Sequence, residues 1–204
     1  MFVKLTANAG VLVDIDGVSV LLDGVCKKTE HYLATPSHIR KELTENFPDA
    51  VGFTHTHSDH YDEDYANLYK LKTLRPILGP ECSSLKVGNV EIKAIPTRHI
   101  GKSNILHHSF IIEGSQRILY TGDASPLIWK NIKGIPQIDV LIVPFAYCNT
   151  VTSWESALSF KAKKILLVHM PDRENDPYMI WDSVEKTTNN NILLFDKIGD
   201  TIAL

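Results

Sequence analysis

A segment of six residues holds four side chains that can bind a metal ion. It reads His-x-His-x-Asp-His from His55 to His60 and directly follows an apolar stretch, residues 50–54. A turn after Ser58 would direct Asp59 and His60 away from the first two histidines. That geometry suits two adjacent metal ions, one held by His55 and His57, the other by Asp59 and His60. The alternative is a solvated polar loop, but burying four such groups without a metal is costly.

Three further candidate ligands stand where predicted strands end. His99 follows the strand 90–95, Asp123 follows 117–121 and His169 follows 165–168. A strand end is where a rigid sheet can direct a polar side chain into a cleft. His107 and His108 lie near His99 and remain alternatives for that position.

The elements that must position these residues follow from local patterns. Short β-branched runs predict strands, and Asp16-Gly17 between two of them is a hairpin signal. Longer polar–apolar segments with helix signals predict four helices. The predicted strands are Phe2–Thr6, Val11–Asp14, Val18–Asp23, Ala50–Thr54, Arg75–Leu78, Val90–Ile95, Leu106–Ile112, Arg117–Thr121, Val140–Val143, Ile165–Val168 and Ile192–Phe195; the predicted helices are Pro36–Asn46, Glu63–Lys72, Ser153–Lys163 and Tyr178–Thr187.

Two strand-rich halves, each with helices, predict an α/β (α+β) protein in which two sheets pack face to face with helices outside. No linker, repeat or low-complexity tract interrupts the 204 residues, so we expect one domain over residues 1–204.

Composition excludes several classes of protein. The chain is 44% hydrophobic, which argues against disorder, and no apolar run approaches the length of a transmembrane helix. The formal net charge of −3 gives no reason to expect nucleic-acid or membrane binding. Three widely spaced cysteines and an N-terminus unlike a signal peptide predict a reducing, cytoplasmic location.

The motif and its later partners resemble the metallo-β-lactamase superfamily of hydrolases. The likeness spans nearly the whole chain, and the segment 92–99 is most similar to the ascorbate-6-phosphate lactonase-like branch. The resemblance implies a four-layer αβ/βα sandwich. It implies a first metal held by His55, His57 and His99, and a second by Asp59, His60 and His169. Asp123 would bridge both metals, and Asp23 would support the ligands.

The implied cofactors are two divalent metal ions, with Zn²⁺ preferred and Mn²⁺ or Fe²⁺ as alternatives. A hydroxide bridging them would attack a small, anionic ester, lactone, thioester or phosphoester, with Asp59 as the catalytic residue that orients it. The candidate substrate contacts share loop positions: Arg98, Lys102, Tyr147, Asn149, Trp154 and Arg173.

Other functions remain open alternatives. One is an RNA or phosphodiester nuclease of the same superfamily, against which the acidic charge balance weighs. Another is di-iron oxygen or nitric-oxide chemistry, which needs an electron-carrying flavin domain that this chain lacks. A third is a non-catalytic metal-binding protein. The oligomeric state is not predicted.

Overall fold

The computed structural model describes residues 1–101 and 104–204. Twelve strands and four α-helices occur within these ranges, with short 3₁₀ turns at Pro126–Asn131, Phe145–Asn149 and Arg173–Asn175. In chain order the elements are β1 (Phe2–Leu5), β2 (Val11–Ile15), β3 (Val18–Leu22), α1 (Ser37–Glu45), β4 (Ala50–Gly52), α2 (Glu63–Thr73), β5 (Ser84–Val87), β6 (Val90–Arg98), β7 (Leu106–Glu113), β8 (Arg117–Tyr120), β9 (Val140–Pro144), α3 (Val151–Leu158), β10 (Lys164–Val168), α4 (Ile180–Glu185), β11 (Ile192–Leu194) and β12 (Thr201–Ala203).

The strands form two sheets. One has five strands in the order β12-β1-β2-β3-β4, and the other has seven in the order β11-β10-β9-β8-β7-β6-β5. In the first sheet only β3 and β4 run parallel. In the second, β8 to β11 are parallel and β5 to β8 antiparallel.

Alternation of side chains along the strands builds the layers. In β10, Leu166 packs in the core between the sheets, whereas Leu167 packs on the outer side with Ala157 of α3 and Val184 of α4. On the outer face of the five-stranded sheet a third apolar cluster joins β3 and β4 to α1 and α2; it includes Leu21, Val51, Ile39, Leu43, Tyr65 and Tyr69. The protein is therefore a four-layer αβ/βα sandwich, and the predicted fold class is confirmed.

Several predicted boundaries are wrong. Residues 75–78 form no strand, only isolated bridges from Leu78 to Gly52 and Cys82. The strands β5 and β12 were not predicted, because both are short edge strands without a buried face. Helix α3 ends at Leu158 rather than continuing to 163, since the chain turns through a left-handed Lys161 (φ 51°) before β10.

None of the helices in the described part of the chain is long and apolar enough to cross a membrane.

Candidate metal centre

The seven predicted ligands come from segments that leave the sheets at one edge. The loop after β4 carries the His55–His60 motif, and His99 directly follows β6. Strands β6 and β8 both run antiparallel to β7, so their carboxyl ends share an edge. Asp123 follows β8 there, and His169 follows β10. The structure thus brings together residues that lie up to 114 positions apart in sequence, from His55 to His169.

The first ligand group contains His55, His57 and His99, whose candidate ligand atoms all lie within 4.8 Å of one another. His55 Nε2 lies 2.8 Å from His57 Nδ1. The ring of His99 lies 4.7 Å from that of His55 and 5.0 Å from that of His57, centroid to centroid. This is the set that the resemblance implies for the first metal.

Hydrogen bonds fix the tautomers of two of these histidines. Thr54 donates its hydroxyl proton to Asp23, so its oxygen accepts the Nδ1–H of His55 at 2.9 Å. His99 donates its Nδ1–H to the carbonyl of Ile100 at 2.5 Å. In each neutral ring the lone pair is therefore on Nε2, the atom a metal would need. His99 Nε2 is buried with no hydrogen-bond partner among the described residues.

The second group contains Asp59, His60 and His169, whose ligand atoms also lie within 4.8 Å of one another. The Nε2 atoms of His60 and His169 are 2.9 Å apart, and Asp59 Oδ2 is 3.5 Å from His169 Nε2. Two unprotonated nitrogens at that distance would repel, so either a proton or a cation must be shared between them.

Asp123 lies between the two groups. Its Oδ2 is 3.4 Å from His60 Nε2, 3.6 Å from His169 Nε2 and 3.7 Å from His99 Nε2. One carboxylate oxygen therefore faces ligands of both groups, which is the position that a bridging ligand requires.

Asp23 supports the cluster from below. Its fully buried carboxylate accepts hydrogen bonds from the backbone N–H and hydroxyl of Thr54, from Nδ1–H of His60 and from the hydroxyl of Tyr120. The bond to His60 at 2.8 Å uses the Nδ1 proton, so Nε2 is the atom that would bind a cation in place of its own proton. Asp23 thus holds one histidine directly and a second, His55, through Thr54.

The backbone at the strand ends is constrained around these ligands. His169 has a φ of 65° and Asp23 a φ of 49°, in the left-handed region that non-glycine residues rarely adopt. Gly122, with a φ of 51°, precedes Asp123, and a Cβ there would lie 2.4 Å from Thr54 Cγ2. Only glycine lets the turn that presents Asp123 approach Thr54 so closely.

The electrostatics separate neutral from charged groups. Burial keeps the pKa of His55 well below its ordinary value, so its imidazole is neutral at pH 7. Burial also opposes a charge on His60, but the carboxylates of Asp123 and Asp23 outweigh it and raise the pKa of His60 well above its usual range. The same pairing acts on Asp123: burial disfavours its ionisation, yet His169 and His60 hold its pKa well below normal.

This donor set fits divalent cations. Neutral imidazoles and carboxylates suit Zn²⁺ and also Mn²⁺ or Fe²⁺. The buried, unpartnered Nε2 of His99 and the facing ring nitrogens of His60 and His169 are the arrangement expected of ligands prepared for a cation. A site of this kind can polarise a carbonyl or phosphoryl group and activate water.

His107 lies behind the first group and outside its set of candidate ligand atoms, although its Nε2 is also buried without a hydrogen-bond partner among the described residues. Ser109 donates its proton to the carbonyl of Thr121, so it accepts from the Thr97 hydroxyl, which in turn accepts the Nδ1–H of His107 at 2.7 Å. Its ring lies 5.2 Å from that of His55. His108 lines a cavity of about 290 Å³ that His55 and His57 also line, together with Tyr61 and Pro80.

The sequence analysis missed Tyr32, which lies in the loop between β3 and α1. The edge of its ring packs against His169, with centroids 4.4 Å apart and planes at 84°. Burial, and then the nearby charges of Asp123 and Asp59, raise the pKa of its hydroxyl far above normal, so it remains a proton donor. Nothing local in the sequence marks this residue, since the contact joins positions 32 and 169.

The predicted substrate contacts have mixed outcomes. Tyr147 is wrong: it is fully buried, accepting from Trp129 Nε1 and donating to the carbonyl of Ala124. Arg173 is paired with Glu185 and Asp196. Trp154 packs partly buried against the outer core, and Arg98 and Asn149 are exposed. Lys102 lies outside the described residues.

Comparisons with known proteins agree with the geometry. The model of the β-lactamase superfamily domain matches residues 3–165. A protein of Veillonella parvula described as "a possible metal-dependent hydrolase" superposes with a TM-score of 0.70 at 15% identity, covering 100% of this chain and 99% of that one. An isothiocyanate hydrolase from Delia radicum gut bacteria gives 0.66 at 14% identity, with 100% and 99% covered.

A third similar structure, the diiron β-hydroxylase CmlA from Streptomyces venezuelae, gives a TM-score of 0.58 at 12% identity and covers 100% of this chain but 54% of that one. No curated protein matches the sequence. The family match extends over most of the chain and includes the loop after β4 and the ends of β6 and β8. The chain therefore belongs to the β-lactamase superfamily, the superfamily of metallo-hydrolases whose motif its sequence resembles.

Proposed function

We propose that the protein is a dinuclear metal-dependent hydrolase of a small ester, lactone, thioester or phosphoester. The observation that carries this proposal is the pairing of two three-residue ligand groups on either side of Asp123. When bound, two divalent cations supply Lewis-acid activation of the scissile group and a water of lowered pKa. Zn²⁺ is the proposed metal, with Mn²⁺ and Fe²⁺ as alternatives.

Each residue has a definite part in this proposal. His55, His57 and His99 would hold one cation, Asp59, His60 and His169 the other, and Asp123 would contact both. The Asp59 carboxylate would also accept a hydrogen bond from the attacking water and so orient it. The Tyr32 hydroxyl, kept protonated on a ring that packs against His169, would donate to an oxygen that gains negative charge.

The positive charge of two cations favours substrates with an anionic or developing negative group next to the scissile bond. We therefore keep a small anionic molecule as the proposed substrate type, and the cytoplasm as the proposed location on the sequence argument from its cysteines. The exposed Arg98 beside His99 is the remaining described candidate for a cationic contact.

The test is metal content and turnover measured on one preparation. Protein reconstituted with Zn²⁺, Mn²⁺ or Fe²⁺ should hold two ions per chain and hydrolyse at least one of a lactone, a thioester and a phosphodiester. A chelator should remove both. His55→Ala should lose metal and activity, whereas His38→Ala, an exposed histidine on α1, should lose neither. Turnover that resists the chelator, or less than one ion per chain, would contradict the proposal.

A further inference from the structure

His169 also lines a cavity of about 370 Å³ that none of the other six candidate ligands lines. The cavity is bounded by the ends of β1 and β10, the loop before α1 and the segment after β11. Its walls are mainly apolar and include Leu5, Leu33, Val168, Trp181 and Phe195. This volume is within the range of small-molecule sites. His169 is thus both a candidate ligand and part of the wall of this cavity.

Among the described residues, one buried polar side chain lines the cavity besides His169. Asn8 is 5% exposed, and neither Nδ2 nor Oδ1 of its amide has a hydrogen-bond partner within the described residues. Its backbone is fixed, because its carbonyl accepts the N–H of His169 at 3.0 Å. A buried amide without partners is rare in folded proteins and calls for an explanation. Each of the two amide atoms exposes less than 1 Å², so a ligand with a hydroxyl, carbonyl or amide group in the cavity would provide the partners once the side chain turns towards it.

The charged groups around the cavity do not favour an anionic ligand inside it. Arg173 is held by Glu185 and Asp196, each at 2.9 Å, and its guanidinium stacks on Trp181 at 3.8 Å from the ring centroid. Lys197 is exposed at the rim. Three carboxylates also line the cavity, those of Asp172, Glu174 and Asp196.

We propose that this cavity binds the uncharged, apolar arm of an amphipathic substrate, an acyl, alkyl or aryl group that carries one neutral polar atom for Asn8. The inference rests on the proposed function, since the scissile group of the same molecule would face the cluster across His169. Any anionic group of the substrate then faces the cations, not the cavity.

The direct test uses normal primary alcohols from butanol to decanol as probes, with binding measured by calorimetry on the metal-loaded protein. We expect affinity to rise about fourfold per methylene until the cavity is full, the factor that ~0.8 kcal/mol per buried CH₂ implies. Leu33, 42% exposed at the open side of the cavity, can be enlarged without disturbing the core. Leu33→Trp should abolish the rise for the longer alcohols, while Leu33→Ala should preserve it.

The matched control is Leu71→Trp, the same substitution at a leucine on α2 that is 73% exposed and does not line the cavity. It should bind the alcohols as the unmodified protein does. Affinities that do not depend on chain length, or equal effects of Leu33→Trp and Leu71→Trp, would overturn the inference. Metal content and unfolding midpoint, measured on each variant, identify any that has failed to fold. If Leu33→Trp is among them, the length dependence in the unmodified protein and in Leu33→Ala still tests the inference.

Hydrolysis of para-nitrophenyl esters with the same range of acyl lengths separates the two proposals. If kcat/KM rises with acyl length, and Leu33→Trp abolishes that rise by increasing KM for the longer esters, both the proposed function and the proposed cavity site are supported. If the alcohols bind with the expected length dependence but no ester, lactone, thioester or phosphodiester is turned over, the proposed function fails and the cavity remains a site for an apolar ligand.

Discussion

The candidate metal ligands and the cavity lined by Asn8 share His169, yet the polar groups of the two regions are held in opposite ways. In the cluster, the ring nitrogens of His55, His60 and His99 that face away from the centre each bond to an oxygen, which makes the inner nitrogen the one that a cation would bind. In the cavity, the amide of Asn8 has no bond within the described part of the molecule. The metal centre is therefore preorganised by hydrogen bonds within the protein, whereas the hydrogen bonds of the cavity are completed only by a ligand.

The strongest test of the preorganised side is loss of a ligand. His169→Ala should reduce the metal content from two ions to about one per chain and lower kcat by more than the roughly 10–100-fold expected for a residue that only supports a ligand. Its circular dichroism should be unchanged, because the ring is replaced at a strand end. Metal content and activity that both stay at the unmodified level would remove His169 from the ligand set.

The next largest effect concerns the support beneath the ligands. Asp23→Asn takes the negative charge from a carboxylate with four donors, so we expect about 10–100-fold weaker metal binding, measured by chelator competition.

Asp62→Asn is the matched control for this change. Asp62 is as buried as Asp23, but it pairs with Arg40 and caps α2 by accepting the N–H of Tyr65. Asparagine can still cap α2, so the change should cost only the ion pair with Arg40, about 0.2–1 kcal/mol of stability, and leave metal affinity unchanged. Equal loss of metal affinity in the two variants would mean that Asp23 acts only through general stability.

A smaller, pH-dependent effect belongs to His107, which is 1% exposed. Burial lowers the pKa of His107 from the usual 6.5 to about 3. Between these two pH values the unfolded chain therefore binds a proton at His107 that the folded chain does not bind. The neutral His107 therefore does not lower the free energy of unfolding above pH 6.5, and that free energy declines as the pH falls towards 3. In chelator-treated protein His107→Phe should relieve up to about 2 kcal/mol of that loss at pH 5 and none at pH 8. Parallel stability curves for the two proteins would contradict this.

Sequence patterns predicted the candidate metal ligands, because these residues are marked by short spacings along the chain. The motif from His55 to His60 and the strand ends before His99, Asp123 and His169 are local signals, and the structure brings all seven candidate ligands together. The alternation that places Leu166 and Leu167 on opposite faces of β10 is equally local, which explains why the layers were predicted correctly.

The cavity lined by Asn8 could not be predicted from local patterns. Asn8 is a polar residue in a short loop like many others. Its surroundings come from segments more than 150 positions away: its carbonyl accepts the N–H of His169, and Phe195 lines the same cavity. Tyr147 was assigned to the substrate for the opposite reason: a loop position in sequence proved to be a buried one, sealed by Trp129. Local pattern identifies groups that can react, but not which polar groups the tertiary structure leaves without partners.

The smallest expected effect is that of replacing Asn8, and it tests whether its amide is left without partners for a ligand. If the amide of Asn8 is kept for a ligand, the free protein bears its desolvation cost, which for an unpartnered buried group is about 1–3 kcal/mol. Asn8→Leu, which keeps the branched shape and the number of side-chain heavy atoms, should therefore stabilise the free protein by about 1 kcal/mol in chemical denaturation, while its affinity for the longer alcohols loses the hydroxyl contribution. A purely structural amide would give the reverse, with lower stability and unchanged binding. Since the backbone carbonyl of residue 8 still accepts the N–H of His169, metal content should not change in either case. A site that gains stability and loses affinity on the same substitution is one whose polar group is maintained for a ligand and not for the fold.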